Sequence, residues 1–187
     1  MLYLYTMIND VYIWLERLAS LHKSQMRKVA SKRGLQLVHL EILHYLSICN
    51  RHSNTAQALS DYLGQTKGSI SQSLKFIVEA GHIERKPCTN DGRVTRLHLT
   101  PEGKACLKHV NKSIIPELSQ DSQTIETLQR LLHDWQTKDG IKGFGQCKTC
   151  RYNQTLDSGK FHCGLIDEPL SKTDIQKICK EHTFGED

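Results

Sequence analysis

The sequence predicts a mainly α chain with a small β-hairpin, an α+β arrangement, followed by a small C-terminal piece held by cysteines. Three observations predict it. Apolar residues recur at helical spacing through most of residues 8–135. One stretch with period-two alternation, Val94 to Leu99, follows the turn signal Thr89-Asn90-Asp91-Gly92. Four cysteines crowd the C-terminal end as C-x2-C-x12-C-x15-C: Cys147, Cys150, Cys163 and Cys179.

The first helix carries Ile8, Val11, Tyr12, Leu15, Leu18, Ala19, His22 and Met26 on one face and ends near Gly34. Leu37 to Ile48 forms a second helix, apolar on more than one side and therefore central. Asn54-Thr55-Ala56-Gln57 has the N-x-x-Q pattern of a capping box, so a short third helix starts there and stops at Leu63-Gly64. Thr66 caps a fourth, with Ile70, Leu74, Ile77 and Val78 as its inner stripe and Gly81 as its end.

Two short helices joined by a tight turn make a helix-turn-helix. Ile83 to Pro87 and Val94 to Leu99 then supply the hairpin, giving a winged helix-turn-helix. Pro101-Glu102-Gly103 opens a fifth helix, apolar at Ala105, Val110, Ile114 and Leu118. Ser119 or Asp121 caps a last one, with Ile125, Leu128, Leu131, Leu132 and Trp135 along one face.

The chain has 187 residues and a net charge of +5, which divide into one winged-helix domain and an appendage. The boundaries expected are 1–138 for the winged helix, 139–145 for a glycine-rich linker and 146–187 for the cysteine module. A mean hydropathy of −0.47 and the lack of a run of about 18 apolar residues exclude a membrane span. The start of the chain has no basic n-region or cleavage site, and seven cysteines is an odd number. Both point to a reducing cytoplasm rather than a disulfide framework. Cys49, Cys88 and Cys106 read as small buried hydrophobes, with Cys88 the best placed for redox chemistry.

The fourth helix carries the residues suited to reading DNA. From Thr66 onward its outer face offers Lys67, Ser69, Ser71, Gln72 and Lys75. Small hydroxyls reach phosphates and base edges without bulk, and Gln can pair with adenine in two places. Between Gln65 and His98 there are six Lys/Arg against three acids, the excess that phosphate attraction needs. A solvated surface would also explain each of these residues singly.

The hairpin supplies the more specific pattern. Asp91, Arg93, Leu97, Leu99, Thr100 and Gly103 stand at the spacing D-x-R-x-x-x-L-x-L-T-x-x-G. This resembles the wing of MarR-family transcription regulators, and Leu59-Ser-Asp-Tyr-Leu-Gly64 and Val78-Glu-Ala-Gly-His-Ile-Glu-Arg85 fit the same family. The resemblance spans residues 5–137. It implies a homodimer on a palindromic operator, acting as a repressor, with the N- and C-terminal helices as dimerisation helices. It also implies that Arg93 enters the minor groove and that Asp91 shapes the wing tip. Arg96, one of the six basic residues between Gln65 and His98, completes the DNA-binding set. Gln72 replaces the arginine common at that position, so the operator sequence does not carry over. Many members respond to a small ligand, but Tyr45 and His44 read as core or interface residues here.

The resemblance does not account for residues 146–187. Cys147-Lys-Thr-Cys150 can chelate one ion, and Cys163 and Cys179 complete a four-thiolate set. Ser171-x-x-Asp174 predicts a capped helix carrying Ile175, Ile178 and Cys179. A piece with so few apolar groups gains its stability from a metal staple. The expected cofactor is one metal centre per chain. A structural zinc site stands slightly ahead of an iron–sulfur cluster, whose ligand spacing in high-potential iron–sulfur proteins is similar. His182 could replace one cysteine.

These readings make the chain a transcription regulator rather than an enzyme: a site closed by four thiolates leaves no position for water, and no nucleophile–base pair or phosphate loop is present. Its partners would be double-stranded DNA and a second copy, with a small-molecule, metal or redox effector. The alternative is an iron–sulfur redox or electron-transfer protein that uses its winged helix for protein contacts.

Overall fold

The computed structural model describes residues 10–88, 91–115, 121–138, 140–141 and 143–185. Helix α1 spans Asp10–Ser31. Only Met26 and Ala30 of this helix are buried, because only its last turns reach the core. Its end is set by Gly34, whose φ of +68° is the left-handed conformation a glycine adopts without strain.

Helix α2, Leu37–Ile48, runs through the centre. Leu40, Ile42, Leu43 and Tyr45 are wholly enclosed, matching a helix that is apolar all round. Helix α3 is Ala56–Leu63. Its N-cap is Thr55, whose Oγ1 accepts the Ala58 N–H at 3.2 Å, and not Asn54 as the N-x-x-Q pattern predicts. Asn54 is instead buried and turned toward the hairpin.

Helix α4, Lys67–Glu79, is capped by the Thr66 hydroxyl, which accepts the Ser69 N–H at 3.2 Å. Ile70, Leu74 and Ile77 seat it on α2 and α3. Strands β1, Ile83–Pro87, and β2, Thr95–Leu99, pair antiparallel with Ile83 opposite Leu99 and Pro87 opposite Thr95. Thr89 and Asn90 of the expected turn lie outside the described residues.

Helix α5, Pro101–Ile114, is capped by Thr100, whose Oγ1 accepts the Gly103 N–H at 3.0 Å and donates to the Gly81 carbonyl at 2.7 Å. Leu118 and Ser119 also lie outside the described residues, whereas Asp121 Oδ1 accepts the Thr124 N–H at 2.8 Å at the start of α6, Ser122–Lys138. No residue of α6 is buried. Leu128, Leu132 and Trp135 face outward, as do Trp14 and Leu18 of α1.

The C-terminal module is mostly short strands. β3, Gly145–Gln146, pairs antiparallel with β7, Ile178–Cys179. β4, Asn153–Thr155, β5, Phe161–Cys163, and β6, Glu168–Leu170, form an antiparallel meander. The helix expected after Ser171 does not form. Ser171 and Asp174 do make the reciprocal cap: the Ser171 N–H donates to Asp174 Oδ2 at 2.9 Å and the Asp174 N–H to Ser171 Oγ at 3.0 Å. The chain then makes a single 3-10 turn, Asp174–Gln176, and Ile178–Cys179 is drawn off as a strand by β3. The module's own core is only Cys147, Leu170 and Ile175, with Phe161 and Cys163 against them. No helix among the described residues is long and apolar enough to cross a membrane.

Candidate nucleic-acid interface and four-cysteine site

The α4 face forms first from its cap. Because the Thr66 hydroxyl is spent on the helix N-terminus, it fixes the start of the helix. Lys67, Ser69, Ser71, Gln72 and Lys75 are all exposed, on the side opposite the buried Ile70, Leu74 and Ile77. Ser69 Oγ donates to Gln65 Oε1 at 3.1 Å. Ser71, Gln72 and Lys75 share a groove of about 340 Å³ with Arg85 of β1 and Glu79. Arg85 thus joins the basic face, a placement that needs the α4–β1 packing and has no local sequence signal.

At the wing, Asp91 Oδ1 accepts the Arg93 N–H at 3.0 Å, the local turn that keeps the tip compact. Both residues are exposed. Arg96 is placed differently. It is half-buried, and its Nη1 donates to the His52 carbonyl at 2.7 Å and approaches Asn54 Oδ1 at 3.4 Å. It fastens the hairpin to the loop between α2 and α3 rather than extending from the wing.

Cys147, Cys150, Cys163 and Cys179 come from four places: the two ends of the 3-10 turn after β3, the end of β5, and β7. All four line one enclosed cavity of about 40 Å³, and all are free thiols. Asn50, His52, Ser53 and Asn153 line it too, and Asn153 keeps a buried Oδ1 without a hydrogen-bond partner. Among the described residues no three His, Cys, Asp or Glu side chains are already drawn together as a single-ion set. The sulfurs therefore surround a space without converging on one point.

Burial pushes the Cys147 thiol up to about 12, with Cys179, Cys150 and Cys163 adding to the shift. Burial also raises Cys179, against hydrogen bonds from the Asn50 and Ser53 side chains. Thiols in this setting become thiolates when a cation compensates them.

His182 is 1% exposed and not among the cavity-lining residues. Its Nε2 lies 2.9 Å from Thr149 Oγ1, its ring meets Phe184 edge-on at 4.4 Å, and burial lowers its pKa. An added Cβ at Gly145 would strike this ring, so the glycine is what lets β3 pass. Of the lysines near the cysteines, Lys180 pairs with Asp61 of α3 at 3.1 Å.

The module packs directly on the winged helix. Phe144 sits against Tyr62 and Tyr45, with ring centroids 5.2 Å and 6.3 Å away, and its N–H donates to the Cys179 carbonyl at 2.7 Å. Residues 143–145 of the glycine-rich stretch are thus part of a packed seam. Arg51 reaches Asp174 at 3.1 Å, Glu168 at 3.2 Å and the Pro169 carbonyl at 2.8 Å. Lys177 Nζ donates to the Ser47 carbonyl. For Asp174, burial alone would raise the carboxyl, but the Ser171 hydrogen bonds and Arg51 outweigh it and hold the pKa below the usual carboxylate value. Sequence reasoning missed Asn50, Arg51 and Ser53, since a polar stretch between two helices reads as a solvated turn.

This arrangement of α1 to α6 with the hairpin is a winged helix-turn-helix fold. Residues 33–94 match the family model described as MarR family. The fold is similar to the apo form of MarR from E. coli, with a TM-score of 0.50, 20% identity, and coverage of 68% of this chain and 98% of that one. A MarR transcriptional regulator from Methanosarcina mazei Go1 gives 0.53 and 21% identity, covering 71% of this chain and 98% of its own. CouR from Rhodococcus jostii RHA1, solved with p-coumaroyl-CoA, gives 0.53 and 14%, covering 70% and 92%. No curated protein sequence matches the chain.

Proposed function

We propose that this chain is a DNA-binding transcription regulator that works as a homodimer, in the cytoplasm, as a repressor on a palindromic operator. The observation that carries the reading is the α4 face. Its exposed Lys67, Ser69, Ser71, Gln72 and Lys75 lie beside Arg85, on a scaffold of the MarR type. Gln72 and the serines would read base edges, and Lys67, Lys75 and Arg85 would neutralise phosphates. Arg93, held by Asp91, would enter the minor groove. The outward apolar residues of α1 and α6 would form the seam between two copies. A gel shift with the chain's own promoter region tests this. Specific binding that survives about 150 mM salt supports it, and binding that is only non-specific and salt-labile sinks it.

The same reading includes one metal centre held by Cys147, Cys150, Cys163 and Cys179. Four soft thiol donors lining one cavity suit zinc or an iron–sulfur cluster. A bound cluster would supply a one-electron or metal-availability signal. The chain's residues position the thiolates and keep water out. Metal analysis of anaerobically purified protein tests the centre: colourless stoichiometric zinc would make it structural, iron with acid-labile sulfide and absorption near ~400 nm would make it a sensor, and protein that holds neither sinks the metal reading.

A further inference from the structure

The loop from Cys49 to Asn54 belongs to two structures at once. On the module side, Cys49 forms a bridge with Ile178, and the Asn50 N–H donates to the Ile178 carbonyl at 2.8 Å. Arg51 holds Glu168, Asp174 and Pro169, and Ser53 Oγ accepts the Lys180 N–H at 2.8 Å. On the wing side, the His52 carbonyl accepts from Arg96 at 2.7 Å, and Asn54 exchanges hydrogen bonds with Leu97. Asn50, His52 and Ser53 are themselves part of the wall of the cysteine cavity.

The geometry points to this loop as the transmitter through which the four-cysteine centre sets the position of the DNA-reading wing. The effector is the metal–thiolate centre, loaded or empty. The inference rests on the metal reading proposed above. Drawing four sulfurs onto a centre shifts β7, which carries Cys179 and whose Ile178 carbonyl accepts the Asn50 N–H. Asn50 and Ser53 follow that strand through the Ile178 carbonyl and the Lys180 N–H. The loop cannot shift without taking β2 along, because Arg96 and Leu97 are tied to it and the path is contiguous. A linked equilibrium of this kind alters DNA affinity by about 5- to 150-fold, and DNA alters metal retention by the same factor.

Amide hydrogen exchange on the full chain tests the link without requiring an operator. The Leu97 N–H is the reporter, since it donates to Asn54 and not to its hairpin partner Arg85. The metal-loaded protein is compared with protein stripped by a chelator under anaerobic conditions. The expected result is exchange at least ~10-fold faster after stripping in residues 49–54 and at Leu97. Residues 40–45 of α2 should remain protected. Change confined to 145–179 overturns the link and leaves the metal reading intact. A chain that retains neither zinc nor iron with sulfide sinks both. If stripping unfolds the whole chain, Ser53→Ala in the loaded protein decides. Unaltered metal content with several-fold faster exchange at Leu97 supports the link, and unaltered exchange there overturns it.

Discussion

Asn54 and Leu97 hold each other twice. The Leu97 N–H donates to the Asn54 carbonyl at 2.9 Å, and Asn54 Nδ2 donates back to the Leu97 carbonyl at 3.1 Å. Both residues are buried, so the pair acts as a short third strand beside the hairpin. Asn54→Ala would leave the Leu97 carbonyl without its side-chain partner and cost about 1–3 kcal/mol. Urea unfolding of the variant against wild type measures it.

Gly103 is buried in the first turn of α5, and an added Cβ would run into the His82 carbonyl. A backbone atom cannot swing aside as a side chain can. Gly103→Ala is therefore expected to cost about 1–3 kcal/mol, the usual range for overpacking, and to lower the melting temperature by several degrees. This close approach is the physical reason for the glycine that ends the wing pattern.

Gln72 and Lys75 sit side by side on the groove but would do different work. Gln72→Ala is expected to weaken operator binding by about 1–3 kcal/mol and to relax preference at one base pair. Lys75→Ala should weaken binding to all sequences alike and lower the salt slope by about 1. Titrations at several salt concentrations on operator and scrambled DNA separate the two.

Trp14 and Leu18 on α1 are 68% and 64% exposed, a large apolar surface to leave in water. Placing a charge there, as Trp14→Asp, is expected to turn the proposed dimer into a monomer in sedimentation velocity. A variant that stays dimeric would remove α1 from the seam.

Burial lowers the pKa of His39 and of His44, with His82 and His22 respectively adding to the shift. The unfolded chain then binds more protons than the folded chain below the ordinary histidine value of 6.5. Stability should therefore fall as pH drops from 6.5 toward the lowered folded values. Asp174 acts at more acidic pH: its depressed carboxyl stabilises the module above the unfolded value of 3.8 and loses that effect as pH falls through the folded one. Denaturant unfolding at pH 7.5, 6.5 and 5.5 should give a falling midpoint.

The helices and hairpin were legible because their signals are local. Thr66 and Thr100 are followed by the stripes they cap, and Leu37–Ile48 is apolar enough to be central by composition alone. Asn54 was misread because its partner, Leu97, lies 43 residues away and competes successfully for a side chain that otherwise suits an N-cap. Ser171 and Asp174 form the cap their spacing predicts, yet β3 captures the next residues before a second turn can form. Arg96 looks like a DNA contact because it is a basic residue in the wing. Only the fold reveals that its guanidinium is already engaged with His52.

The seam between module and loop also dictates an order of assembly. Ser53 waits for Lys180, which follows it by 127 residues, before its hydroxyl receives its backbone donor. During synthesis α2 and α3 emerge well ahead of the strand that completes the loop between them. A nascent chain would carry its recognition helix while Arg51 still lacks Glu168 and Asp174. The loop between α2 and α3 is then fully bonded only after β7 and Lys180 have emerged.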